Sequence, residues 1–403
     1  MNILIASTSF PDKNNDDIAG KFVQNEALAY ALNNGHVKVL TPHQPGAKLK
    51  ENIRENLDVI RFRYFLPEKL QRLKAPNKPM YGQRSIFSYF QLPILLFVFF
   101  WQLIIHGRWA DIIHCQWTLT ALLAMPCKWL YGKPIVLTVR GSDVRLLPKY
   151  LNRFIHWNVD AVIDCYGDQK WNNDNKRNFP AKYIRLPLIV EHFATTALKM
   201  PRDMSAPIQN RKDVFKIIYL GRFDRIKMDD GLPILHLIDA AKRLEQCYKG
   251  KFHIFYIGDG DPAILSEMKS RIKALIQRHC ITLLGPKSCV NDYLRFCDLG
   301  IGGIAFNAVS QEFSILGKPQ LLFEGDYNQE TPWRNRTNCL MIKGGDVDEL
   351  EYALEYALKN RESLKKMGGR AQMMMKKYVK DMKDGGDDYL HAFSSIINQG
   401  YQS

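Results

Sequence analysis

Two cations stand just beyond an apolar run. Residues 216–220 (KIIYL) are followed by Gly221-Arg222-Phe223, and Lys227 comes five residues after Arg222. A strand ending in glycine, with Arg and Lys on the next loop, puts positive charge at the carboxyl edge of an open α/β sheet, its usual ligand edge. Arg can grip a diphosphate through two parallel N–H donors, while Lys acts as a point charge. The same spacing is common on solvated surfaces, so it does not decide by itself. A second apolar run closes in Ile257-Gly258-Asp259-Gly260, where glycine lets a ligand approach the backbone. Asp259-Gly260-Asp261 is formally a DxD, a spacing that can hold a divalent metal but is far more often a simple turn. No metal site is expected.

Residues 303–319 (GIAFNAVSQEFSILGKP) carry more information. Small and polar residues lead from a strand at 299–301 into a helix expected to begin near Ser310, with Glu312 in its first turn. The N–H groups and partial positive charge of a helix start suit a phosphate. A carboxylate there could accept hydrogen bonds from ribose hydroxyls, or merely complement the helix dipole. Near the N-terminus, residues 9–23 form a polar loop after the first strand. Asp12, Asn14 and Asp16 imitate the opening of a calcium loop, but Asp17 replaces its glycine and Val23 its closing glutamate. Gly20 instead suits a loop that approaches an anion before the first helix.

These residues need a frame to position them. Short apolar runs at 2–7, 37–40, 59–65, 111–114, 135–139, 161–165 and 183–186 read as strands of a first sheet, with a helix at 26–34 ending at Gly35. Residues 194–213 change character, with Pro201, Pro207 and small or charged residues, and read as a linker. The pattern then restarts. Strands at 216–220, 252–257, 281–284, 299–301 and 320–323 alternate with helices near 234–248, 264–278, 290–297 and 348–360. Alternation of this kind predicts two parallel α/β units, with a ligand between them.

The composition is that of a folded chain. Its 403 residues are 46% apolar and 24% charged, which excludes disorder, collagen and a disulfide mini-scaffold. The eight cysteines have neither CxxC nor zinc spacing and read as reduced thiols of a cytosolic protein. The opening MNILIASTSF has no basic n-region and no cleavage site, so no signal peptide is expected. The net charge of +15 points toward anionic partners such as nucleic acid, acidic lipid or phosphorylated substrates. No nucleic-acid motif accompanies it. Residues 86–105 (IFSYFQLPILLFVFFWQLII) carry no charge and are long enough to span a membrane. A span would tear out the strand at 111–114, so two readings remain: a long buried helix, or a helix in the membrane interface. Lys69, Arg72, Lys74, Lys78 and Arg84 just before it favour an anionic surface.

Taken in order, the segments GKFVQNEALAYALNNGHVKVLTP, DIIHCQW, GKPIVLTVRGSDV, IIYLGRFDRIK, FYIGDGDP, ITLLGPKS, CDLGI, QEFSILGKP and NCLMIKGGDVDEL span most of residues 1–375. In this order the chain resembles the GT-B glycosyltransferases, in particular the retaining family GT4. The resemblance implies an α/β fold of two Rossmann-like domains facing across a cleft. Their bounds are an acceptor-side domain at 1–195, a linker at 196–212 and a nucleotide-sugar domain at 213–377, with a C-terminal helix at 378–403 crossing back to the first domain. It implies that Arg222 and Lys227 hold the donor diphosphate, that Glu312 takes the ribose, that Gly20 lies near the donor phosphate, and that the loop at Lys287 reads the base. Gly258, Asn307, Val309 and Ser310 complete the donor site by the same resemblance. His114, Gln116, Arg140 and Asp143 would lie on the acceptor side, near the reacting centre.

The sequence departs from the family pattern at three places. Ile304 stands where E-x7-E has its first Glu, Gln116 stands at the second His of HxH, and Arg140 stands at the His of HGxD. Arg140 is expected to supply an electrostatic role instead. The implied reaction moves a sugar from a nucleotide-diphosphate donor to a hydroxyl of a glycan, cell-surface polysaccharide or lipid-linked acceptor. Retention and independence of metal and cofactor are expected, in the cytoplasm, with a peripheral place on the inner membrane face left open. Other readings are a catalytically inactive GT-B scaffold, which the missing Glu favours, a nucleic-acid binder, and an epimerase of the same architecture.

Overall fold

The computed structural model describes residues 1–12, 20–71, 73, 86–139, 147–164, 177–179, 182–190, 199–209, 211, 213–223, 233–276, 280–287, 289–304, 307–324, 332–343 and 346–400. The chain divides into two compact units, Met1–His192 with Tyr378–Ser403, and Phe193–Lys377.

The first unit is built on an eight-stranded sheet. Its strands are β1 (Asn2–Ala6), β2 (His36–Pro42), β3 (Lys50–Arg54), β4 (Leu57–Phe62), β5 (Ile112–Gln116), β6 (Ile135–Val139), β7 (Ala161–Asp164) and β8 (Tyr183–Ile184), in the order β3-β4-β2-β1-β5-β6-β7-β8. All pairings are parallel except β3 with β4. Central strands such as NILIA and IVLTV are buried on both faces, so they read as apolar runs rather than alternations. β3 (KENIR) is half exposed and polar, and the sequence did not mark it as a strand.

The connections fix where the helices lie. α1 (Lys21–Leu32) joins β1 to β2, leftward in the strand order. α2 (Ile86–Gly107), α3 (Thr118–Tyr131) and α4 (Lys149–Asn158) join β4 to β5, β5 to β6 and β6 to β7, all rightward. Right-handed crossovers therefore place α1 on one face of the sheet and α2, α3 and α4 together on the other.

α2 answers the question posed by the apolar segment. Leu95, Phe99 and Leu103, four residues apart, are buried in the core with Met125 of α3 and Ile113 of β5. Gln91 Nε2 donates to the Leu70 carbonyl at 2.6 Å. The helix is long and apolar enough to cross a membrane, yet it lies along the sheet with one side committed to the core. Its other side is not buried: Phe90 is 70% exposed, Phe97 68% and Trp101 54%. The fully buried helix is thus half right, because only one face found a partner inside the unit.

The second unit has six parallel strands, in the order β12-β11-β10-β13-β14-β15. β9 (Leu188–Ile189) belongs to the first unit, outside its large sheet, and the strands of the second are β10 (Phe215–Leu220), β11 (Phe252–Ile257), β12 (Ile281–Gly285), β13 (Leu299–Ile304), β14 (Gln320–Phe323) and β15 (Leu340–Ile342). The expected linker is partly structured. It contains α5 (Arg202–Ser205) and a 3-10 turn at Ala206–Ile208, and Met204 is buried against Ile218 and Phe255. An apolar side chain at the right spacing was enough to dock it. The remaining helices are α6 (Pro233–Cys247), α7 (Pro262–Ile276), α8 (Asn291–Leu294), α9 (Ala308–Ile315), α10 (Val347–Lys359) and α11 (Arg361–Met375). In β10, Phe215, Ile217 and Tyr219 pack in one core layer, Ile218 and Leu220 in the other.

The chain then returns to the first unit. β16 (Val379–Lys380) pairs with β9, and α12 (Met382–Gly400) lies on α1. Tyr389 and Phe393, both fully buried, bring their rings to 5.5 Å from that of Tyr30. Asn33 Nδ2 donates to the Met382 and Lys383 carbonyls at 3.2 and 3.1 Å.

Candidate donor site

The strand order of the second unit reverses between β10 and β13. From β10 the chain moves to β11 and β12 on one side, and later from β13 to β14 and β15 on the other. Loops leaving neighbouring strands at such a reversal diverge and leave a crevice at the carboxyl edge, where open α/β sheets bind ligands. The loop after β10 carries Arg222, and the loop after β13 leads into α9.

The edge is held by backbone hydrogen bonds between loops. Gly221 N donates to Ile257 O at 3.1 Å, Phe223 N to Asp259 O at 3.0 Å, Asp261 N to Phe223 O at 2.8 Å, and Gly258 N to Gly285 O at 3.1 Å. Gly258 has φ +146°, and a Cβ there would lie 1.9 Å from the Gly221 carbonyl oxygen. The expected ligand role for Gly258 is therefore joined by a plain structural one: it lets two loops touch. Gly258→Ala should cost about 1–3 kcal/mol of stability from backbone strain and displace Arg222. A thermal melt of the variant, with nucleotide binding measured alongside, checks this; an unchanged melt would refute the packing argument. Asp259 and Asp261 make turn contacts, accepting from Gly260 N and Ala263 N, each at 2.8 Å.

α9 begins at Ala308, two residues before the expected start. Asn307 caps it: its Oδ1 accepts from Ser310 N at 2.9 Å, and Ser310 Oγ accepts from Asn307 N at 3.1 Å. The Asn307 and Ser310 side chains thus serve the helix cap, a different use from direct donor contact. The backbone N–H groups of Ala308 and Val309 have no hydrogen-bond partner among the described residues, the usual condition of a helix start.

The earlier start moves Glu312 out of the first turn into the second, where the dipole no longer explains it. Glu312 is only partly exposed, and its carboxyl has no hydrogen-bond partner among the described residues. Burial pushes that carboxyl up to about 7. Beside it, Gln311 is 3% exposed and its Nε2 has no partner. Sequence reasoning missed Gln311; the signal was a Gln-Glu pair inside an otherwise apolar turn. Buried polar groups normally have partners, so the Gln311 amide without one, next to the half-buried Glu312 carboxyl, marks a place where a polar ligand can supply them.

Lys287 lies at this edge too, but its ammonium is engaged. It meets the Asp203 carboxylate at 2.7 Å, and this hydrogen bond holds the lysine above its usual range. Asp203 also accepts from Tyr293 Oη at 3.0 Å. Lys287 is thus anchored to α5 rather than held ready for a base. Arg222 is exposed, and Lys227 lies outside the described residues.

In the first unit, Gly20 has φ +84° at the start of α1, where a Cβ would lie 2.5 Å from the Ser9 carbonyl oxygen. His114 and Gln116 are fully buried. His114 Nε2 lies 2.7 Å from Thr138 Oγ1 and Nδ1 3.3 Å from Tyr30 Oη, while Gln116 Nε2 donates to Glu26 Oε2 at 2.6 Å. These are the contacts the two residues make within the first unit, and Gln116 is the last residue of β5, at its carboxyl end. Both belong to β5, and they join a buried polar network with Glu26 and Tyr30 of α1. Arg140 and Asp143 lie outside the described residues.

No protein-family model matches the sequence, and no curated protein matches it either. Solved structures do. Anabaena HepE in complex with UDP is similar at a TM-score of 0.68 with 15% identity, over 98% of this chain and 100% of that one. Sucrose-phosphate synthase from Thermosynechococcus elongatus gives 0.66 with 16% identity, over 100% and 97%. The catalytic domain of starch synthase IV from Arabidopsis thaliana, bound to ADP and acarbose, gives 0.67 with 14% identity, over 98% and 99%. This chain has the GT-B fold. The GT-B likeness covers both units and the returning α12, while the low identity restricts it to architecture. Within that GT-B frame, the crevice between β10 and β13 is the feature with the chemistry to hold a ligand.

Proposed function

We propose that the protein is a glycosyltransferase that moves a sugar from a nucleotide-diphosphate donor to an acceptor hydroxyl, with retention at the anomeric carbon and without a metal or cofactor. The observation that carries this is the unpartnered Glu312 in α9, one strand away from Arg222. One group suits ribose hydroxyls and the other a diphosphate. The likeness to HepE with UDP and to starch synthase IV with ADP supports a nucleoside diphosphate as the recognised portion.

The transition state is oxocarbenium-like, with negative charge growing on the departing diphosphate. Arg222, Lys227 and the Ala308 and Val309 N–H groups are the donors assigned to oppose that charge, and positive groups aimed at it lower the barrier. The acceptor class is a glycan, polysaccharide or lipid-linked sugar, used at the cytoplasmic side of a membrane, as in the GT4 enzymes that the sequence resembles. Arg140 and Asp143 are assigned to the acceptor side on that resemblance.

Thermal-shift measurements with UDP-, GDP-, ADP- and CMP-sugars test the reading. One donor class should raise the melting temperature, with about 2.7 kcal/mol of added stability at a hundredfold excess over Kd. Arg222→Ala should abolish most of that shift while leaving the unliganded melt unchanged. No shift with any donor would overturn the proposal. Ile304 in place of the family's first Glu favours a second reading, a GT-B protein that binds donor without transferring sugar. Binding without transfer or donor hydrolysis would establish it.

A further inference from the structure

We propose that the outer surface of α2, α3 and α4 docks the first unit on an anionic lipid membrane. The inference deepens the membrane-acceptor part of the function proposed above, but its argument uses the first unit alone.

The topology places these three helices side by side on one face of the sheet, α3 packing against both α2 and α4. Each buries its inner side and leaves large apolar rings outside. Phe90, Phe97 and Trp101 stand out on α2, Trp129 on α3, and Phe154 and Trp157 on α4, exposed by between 43% and 70%. Most of the large apolar side chains exposed among the described residues lie on these three helices. The opposite face differs: there α1 exposes only Leu32 in this class, and α12 exposes none. Scattered apolar side chains are ordinary on a protein surface, but six exposed rings gathered on three neighbouring helices of one face mark a contact.

Charge selects the partner. α2, α3 and α4 contain no Asp or Glu, whereas α3 carries Lys128 and α4 carries Lys149 and Arg153. Lys128 is tied to Asp160 at 2.7 Å, and Lys149, Arg153 and the adjoining Arg108 are exposed. On the other side, α12 carries Asp384, Asp387 and Asp388. A surface with aromatic rings and cations but no acid on its helices fits anionic headgroups: the rings enter the interface while the cations meet phosphate. The committed inner side of α2 keeps that helix on the bilayer rather than through it.

Co-sedimentation of the full chain with vesicles tests this. Phosphatidylcholine vesicles containing phosphatidylglycerol should bind it at least tenfold better than pure phosphatidylcholine, with release at high salt. Phe97→Ser with Trp101→Ser and Trp157→Ser should lower binding at least tenfold, as should Lys149→Glu with Arg153→Glu. Leu32→Ser, on the other face, should change nothing. Equal binding to both vesicle types, or retained binding by both multiple variants, would overturn the proposal. So would a concentration-dependent dimer abolished by the aromatic substitutions, which would make the surface a protein interface. Because every substitution lies in the first unit, donor thermal shifts report separately. Vesicle binding without a donor shift sinks only the transfer reading, and a donor shift without vesicle binding sinks only the docking surface.

Discussion

Glu312→Gln should make the protein more heat-stable at pH 8 while weakening nucleotide-sugar binding by roughly 10- to 100-fold. Both effects come from one half-buried carboxyl. In the folded chain it is raised to about 7, against 4.5 for the free group. Between these values the folded state holds a proton that the unfolded state has lost, so the stability of the native protein falls as pH rises from about 4.5 through 7. Above pH 7 the folded chain carries a partly desolvated charge with no hydrogen-bond partner among the described residues. Glutamine keeps the shape and removes the charge, so the stabilising effect should be full at pH 8 and gone near pH 4. The same charge is what ribose hydroxyls would bind, which accounts for the loss of affinity. Melting curves from pH 4 to 8, with and without donor, measure both. A variant that binds donor as well as the parent, or is stabilised equally at every pH, would remove Glu312 from the site.

Cutting the chain after Lys377 should unfold the first unit and leave the second intact. The deleted segment supplies Tyr389 and Phe393, whose buried rings pack on Tyr30 and around His114, and β16, which pairs with β9. Phe393→Ala alone should cost about 3–5 kcal/mol, a large part of the 5–15 kcal/mol that holds a domain together. Calorimetry should show one transition lost or lowered and another unchanged. Limited proteolysis should then cleave within residues 1–192 first. Equal loss in both units would mean that the segment does not belong to the first.

Much of the architecture was legible because parallel strands buried on both faces announce themselves as apolar runs. NILIA, FKIIYL and FHIFYI were found nearly to the residue. β3 was not, because KENIR gains its strand only by pairing with β4 at an exposed edge. α3 was hidden by a nearly uniform apolar face and by Pro126 inside it. α5 was hidden because one buried methionine docks a segment whose composition says linker. Spacing put Arg222 and Gly258 just after strands and Glu312 in the helix after β13, where the structure has them, since turn glycines and charged residues after strands are local signals. The burial of His114 and Gln116 was illegible. Nothing in HCQ tells that Glu26, Thr138 and Tyr30 converge on it from elsewhere in the chain. Asn307 and Ser310 were expected as donor-site residues and not as each other's partners, because a capping box shows only once the helix start is known.

The same returning helix sets the order in which the molecule can be made. Asn33 and its partners at Met382 and Lys383 are separated by about 350 residues. While the chain grows on the ribosome, residues 1–192 emerge before their partners and must wait, with the side of α1 around Tyr30 uncovered, until Met382–Gly400 has been made. The second unit, continuous from Phe193 to Lys377, has everything it needs earlier. The half translated first is thus the half completed last, and long-range closure of this kind is slow. During that interval the nascent first unit exposes apolar surface on both sides of its sheet, the condition in which chaperones engage a chain.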